Sequence, residues 1–137
     1  MFQRSQHLLT KANSILRPHK IPSEVYDFAL EAQRRDKTPP GVGKKNLPTM
    51  PDIFHALTFE GLAIVEAGHV TPVFIEREPP DYKTKQIRFS KADNEKLKAL
   101  QDRIYAGDFK YGPWKTFPLN AIAVTLMEVA IEARANK

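Results

Sequence analysis

The chain has 137 residues, no cysteine, and a formal net charge of +5 at neutral pH. Without cysteine it has neither a disulfide framework nor a thiolate zinc site, and its length suits one domain or a small domain with an arm. The basic balance favours an anionic partner; with no apolar run of bilayer length and no continuous hydrophobic block near Met1, the expectation is a cytoplasmic protein with no membrane partner.

Charge is unevenly distributed. Before Glu24 there is no acid, while Arg4, Lys11, Arg17 and Lys20 stand there with His7 and His19. Leu8, Leu9, Ala12, Ile15 and Leu16 form a helical stripe ending before Pro18, so Met1–Arg17 reads as a basic amphipathic arm. Such an arm can lie along DNA, dock on a partner or serve as an import sequence; the expectation is a packed helix with a basic outer face. Ser23-Glu24 opens a second helix to about Arg35, with Val25, Phe28, Ala29 and Ala32 inward. Residues 1–36 are therefore expected to be a basic helical N-terminal region.

Pro39, Pro40, Gly41, Gly43, Pro48 and Pro51 make 37–51 a linker or strap, because no regular helix or central strand tolerates them. Gly41-Val42-Gly43-Lys44-Lys45 is no phosphate loop, since Thr38 and Lys45 stand where that motif needs Gly and Ser or Thr. Residues 52–82 read as a helix plus a connecting strand. Thr49-Met50-Pro51-Asp52 is a capping box for a helix through Ile53, Phe54 and Leu57, reaching towards Val65 before Gly68, although Leu62–Val65 also suits a short strand. Val70–Ile75 reads as a strand that Pro72 confines to an edge or irregular place. If this strand folded back over Glu78–Asp81 to pair with 84–90, an internal hairpin and a monomeric α+β module would result.

In Lys83–Ser90 apolar and polar residues alternate, placing Ile87 and Phe89 on one face and Gln86, Arg88 and Ser90 on the other. Gln and Arg can pair bidentately with adenine and guanine edges in a major groove, which admits a two-stranded ribbon. Ser90-Lys91-Ala92-Asp93 then caps a helix whose stripe is Leu97, Leu100 and Ile104 and whose stop is Gly107. A last helix, from about Phe117 to Arg134, is apolar around most of its circumference (Leu119, Ile122, Ala123, Val124, Leu126, Met127, Val129, Ala130, Ile131) and needs cover on more than one side.

One such strand and two helices cannot supply that cover, and a lone strand has no partner. Two copies could, by pairing their strands antiparallel and interlocking their second helices. On this pattern, residues from about 83 to 135, within a unit spanning 83–137, resemble the ribbon-helix-helix superfamily, which includes the Met and Arc repressors. The resemblance implies a fold that is mainly α with a short β-ribbon (α+β), an intertwined homodimer, and double-stranded DNA as partner. It places base contacts at Gln86, Arg88 and Ser90. Phosphate contacts would come from the amides opening the last helix and from Lys83, Lys85, Lys91, Lys115, Thr116 and Asn120. It further implies a transcriptional repressor or a plasmid or phage accessory factor, with residues 1–80 adding a packing or partner-binding region. The chain departs from the family in the long connection Asp108–Thr116, which holds Gly112-Pro113. Aromatics and lysines interleave there, so Phe109, Tyr111 and Trp114 could plug a core end or stack on single strands.

No internal repeat is evident, but an eroded second strand-helix-helix copy in the N-terminal half stays open. The four histidines show neither a nucleophile motif nor metal-ligand spacing; His55 and His69 read as surface or capping residues. The expectation is a non-enzyme without cofactor or metal. The rival function is a protein-interaction or assembly module that binds no nucleic acid.

Overall fold

The computed structural model describes residues 2–35, 47–75, 81–112 and 118–136. After one 3-10 turn at Gln6–Leu8, the elements run β1 (Ser14–Pro22), α1 (Ser23–Arg35), α2 (Met50–Glu66), β2 (Phe74–Ile75), β3 (Tyr82–Ser90), α3 (Lys91–Tyr105), β4 (Tyr111–Gly112) and α4 (Leu119–Ala135). The fold is α+β. Two expected helix starts hold, since Thr49 and Ser90 accept from the amides of Asp52 and Asp93 while those carboxylates bond back to the cap amides. Gly107 ends α3 at φ 95°, where a glycine meets no Cβ penalty. The last helix starts at Leu119, two residues later than expected, with Pro118 as its cap.

The expected N-terminal helix over Met1–Arg17 is not formed: a 3-10 turn at Gln6–Leu8 is followed by a strand from Ser14. Ser14–Pro22 pairs antiparallel with β3, from Ser14 opposite Ser90 to Pro22 opposite Tyr82. Within the chain, the 84–90 strand therefore has β1 as a neighbour along one edge. The alternative hairpin is not formed either: β2 lies parallel to β4, with Phe74 beside Tyr111. Residues 37–46 of the expected 37–51 strap, the Glu78–Pro80 part of the turn, and Trp114 to Phe117 lie outside the described residues, and the strap's Met50 and Pro51 belong to α2.

The strand-helix-helix order occurs twice, as β1-α1-α2 and β3-α3-α4. A shift of 68 positions carries β1 onto β3, and one of 69 carries α2 onto α4, setting Ile53 on Ile122 and Leu57 on Leu126. The strand register obeys the same relation. The pair Ser14–Ser90 is carried onto Tyr82–Pro22, and the axis passes through Pro18 and Gln86. The last helix gets its cover from this arrangement: α4 packs chiefly on α2, and also on β1, α3 and β2. Below the ribbon, Ile21 and Phe89 occupy equivalent buried positions, and His19 matches Ile87. Each half alone is too small to bury its apolar faces; together they share one core of Ile21, Val25, Phe54, Leu57, Ile87, Phe89, Leu97, Ile122 and Leu126.

Candidate nucleic-acid interface

Pleating sorts the ribbon into two faces. His19, Ile21, Ile87 and Phe89 point into the core, and the even-numbered residues Leu16, Pro18, Lys20, Thr84, Gln86 and Arg88 point away from it. Across the ribbon, Leu16 faces Arg88, Pro18 faces Gln86 and Lys20 faces Thr84. Gln86 is exposed. Arg88 is half-buried, and its guanidinium donates to the Ser14 hydroxyl at 3.2 Å, which orients it across the strands. Leu16 is 47% exposed, and the Lys20 ammonium lies 5.3 Å from the centre of the Tyr82 ring.

The other expected contacts are scattered around this face. Ser90 is half-buried, and its hydroxyl oxygen accepts from the Asp93 amide, so it ends the strand as a helix cap. Lys83 and Lys85 are of odd parity and sit over the Tyr26 ring, at 4.4 and 5.6 Å, on the ribbon's flank. Lys91 is exposed at the first turn of α3. The Asn120 side chain donates to the Pro18 carbonyl at 2.8 Å, which ties the start of α4 to β1. Lys115 and Thr116 lie outside the described residues. Leu16 and Lys20 were missed by sequence reasoning. Their signal was the parity of Leu16, Pro18 and Lys20 against His19 and Ile21, obscured by a proline and by a buried histidine.

Each ribbon edge is blunted at one place. Alternate residues of a strand turn their main-chain groups to opposite edges; Arg88 turns its N–H and C=O away from β1, where the Gln6 carboxamide accepts from one and donates to the other, at 2.7 and 2.8 Å. Pro18 shares this parity, so the amide hydrogen it lacks would have faced outward, and a proline fits there at no cost to the ladder. These devices blunt edges that would otherwise invite a further strand.

Gln6 is held in turn by Asp52. Buried at the third position of α2, the Asp52 carboxylate accepts from the amides of Ser5 and Gln6 at 2.9 and 2.7 Å, and from Thr49 at 2.7 Å. Burial pushes its pKa up, but those three amides and the Thr49 hydroxyl outweigh it, and the net shift is downward. Asp52→Asn is expected to cost about 2 kcal/mol, because the charge-assisted bonds from the amides of Ser5, Gln6 and Thr49 lose their carboxylate, while the Thr49 cap itself stays. Urea unfolding measures this loss, and the Arg88 amide should also exchange faster with solvent as the Gln6 clip loosens.

His55 belongs to the framework rather than the surface. Its Nε2 lies 2.9 Å from Asp93 Oδ2, which ties α2 to the cap of α3, and its ring stacks at a tilt on Phe59 and Phe89. Among the described residues no group of three or more His, Asp or Glu could hold a metal ion, and no helix is long and apolar enough to cross a membrane.

Known protein families, characterised proteins and solved structures yield no match to this chain. The geometry of the ribbon is therefore the basis for a functional reading.

Proposed function

We propose that this is a double-stranded-DNA-binding protein of ribbon-helix-helix type, in which β1 and β3 of one chain form the ribbon that enters the major groove. The observation that carries the reading is the outer face, where Gln86, Arg88, Lys20 and Thr84 project from a two-stranded antiparallel ladder on a core built from two strand-helix-helix halves. A ribbon of this width fits the major groove, and Arg and Gln match guanine and adenine edges there. Lys83, Lys85 and Lys91 flank it for the phosphate backbone, consistent with the net charge of +5. One chain supplies what the family takes from two, so the binding unit is a single molecule. A repressor or a plasmid or phage accessory factor is the role this reading suggests.

Arg88→Ala tests it. The variant keeps both the main-chain ladder to β1 and the main-chain bonds to Gln6, neither of which uses the guanidinium, and should weaken specific duplex binding by about 1–3 kcal/mol in a fluorescence-anisotropy titration. Unchanged affinity would remove Arg88 from base readout.

A second reading, a protein-interaction module, is favoured by one observation. Leu16 and Tyr82, 47% and 41% exposed, stand on the outer face and offer apolar area to another protein. The two readings part on salt, because phosphate binding weakens steeply between 50 and 200 mM and apolar docking does not.

A further inference from the structure

The two halves of the ribbon present different chemistry at equivalent places, and this bears on the kind of duplex it fits. Under the internal two-fold relation, Leu16 corresponds to Thr84, Pro18 to Gln86 and Lys20 to Arg88. In a ribbon made from two identical chains, each of these pairs would be one residue type, and both halves would read the same bases, which is why such dimers match inverted repeats. Here none of the three pairs is alike.

The difference is largest at the centre and at one end. On the axis, a carboxamide with two donors and an acceptor faces a proline ring that can form no side-chain hydrogen bond. At one end, Arg88 is oriented by Ser14 and stands opposite exposed Leu16. At the other, Lys20 lies over Tyr82 opposite Thr84. A guanidinium fork offers bidentate pairing to guanine N7 and O6, and an isobutyl side chain beside it suits a thymine methyl. A single ammonium and a hydroxyl make fewer, less directional contacts.

We infer that the target is a non-palindromic duplex site bound by one chain, with its guanine- and thymine-bearing half under Arg88 and Leu16 and a less sharply read half under Lys20 and Thr84. This rests on the DNA-binding reading above and adds to it the symmetry and polarity of the site. A single copy, unlike a symmetric dimer, then binds in one direction.

The test is selection from a pool of randomised B-form duplexes by the full chain, followed by stoichiometry on the enriched sequence in analytical ultracentrifugation. The expected result is a motif without inverted repeat, bound one chain per duplex, in which replacing the guanine of the sharper half costs about tenfold in affinity. The triple variant Leu16→Thr, Pro18→Gln, Lys20→Arg copies the outer residues of β3 onto β1, and should shift the enriched motif towards an inverted repeat. All three side chains project from the outer face, and far-ultraviolet circular dichroism checks that the variant keeps its fold. An inverted repeat enriched by the wild-type chain, or two chains per site, would overturn the inference while leaving DNA binding intact. No enriched duplex at all would overturn DNA binding itself.

Discussion

Gly61→Ala should destabilise the protein by about 3 kcal/mol or more, at or above the upper end of what overpacking a core usually costs. Added at Gly61, a Cβ would stand 1.9 Å from the Leu126 carbonyl oxygen and 2.6 Å from its carbon. The obstruction is helical backbone, which cannot rotate aside as a side chain would. The only relief is to move α2 from α4, and these helices form the largest helix–helix contact between the two halves, second only to the β1–β3 ribbon. The equivalent position on α4 is Ala130, also small and fully buried. Chemical denaturation of the variant should show a lowered midpoint; a midpoint within error of wild type would mean that the helices do not cross this closely. Ala130→Gly keeps the crossing open and should cost only about 1 kcal/mol, mainly through helix propensity.

Local chemistry made the helices legible. The capping boxes at Thr49 and Ser90, the stripe Leu97-Leu100-Ile104 and the glycine stop at 107 each act within a few residues of their own position, and each appears as expected. The faces of β3 were legible for the same reason, since parity alone puts Ile87 and Phe89 inside. Its partner was not. β1 earns its strand conformation from residues 68 positions away, and its local pattern is disguised: His19 stands where an apolar residue is expected, Pro18 demotes a strand assignment, and Leu8 to Leu16 imitate a helical stripe. Leu8 is 67% exposed, and so marks no buried stripe. The repeat was hidden in the same way. Its halves share Ile and Leu at 53 and 57 against 122 and 126, but their outer ribbon residues differ at each place where identity would have shown it. The need for cover around α4 was sound, and α2, β1, α3 and β2 of the same chain pack against it.

The divergent residue with the largest energetic consequence is His19. It is 1% exposed, its Nδ1–H donates to the Arg17 carbonyl at 2.9 Å, and its Nε2 has no hydrogen-bond partner among the described residues. The ring packs at a tilt on Phe89, 5.5 Å between centres. Burial lowers its pKa from 6.5 to about 4; the bond to the Arg17 carbonyl opposes this, and the nearby Arg17 charge adds to it. The unfolded chain therefore takes up a proton near pH 6.5 while the folded chain resists until about pH 4, so stability is constant above that window and falls as pH drops through it. At 1.36 kcal/mol per pH unit of difference, the loss between the two values is about 3 kcal/mol. Asp52, whose pKa is lowered from 3.8, also loses stability in acid, but from a lower pH, so the two act in separate windows. His19→Leu fills the same space without a titrating group or an orphan nitrogen, as Ile87 does at the equivalent position. Its urea midpoint should match or exceed that of wild type at pH 7 and hold nearly level down to pH 4, while the wild-type midpoint declines across the same range. Parallel declines in both proteins would place the acid sensitivity elsewhere and leave His19 a packing residue alone.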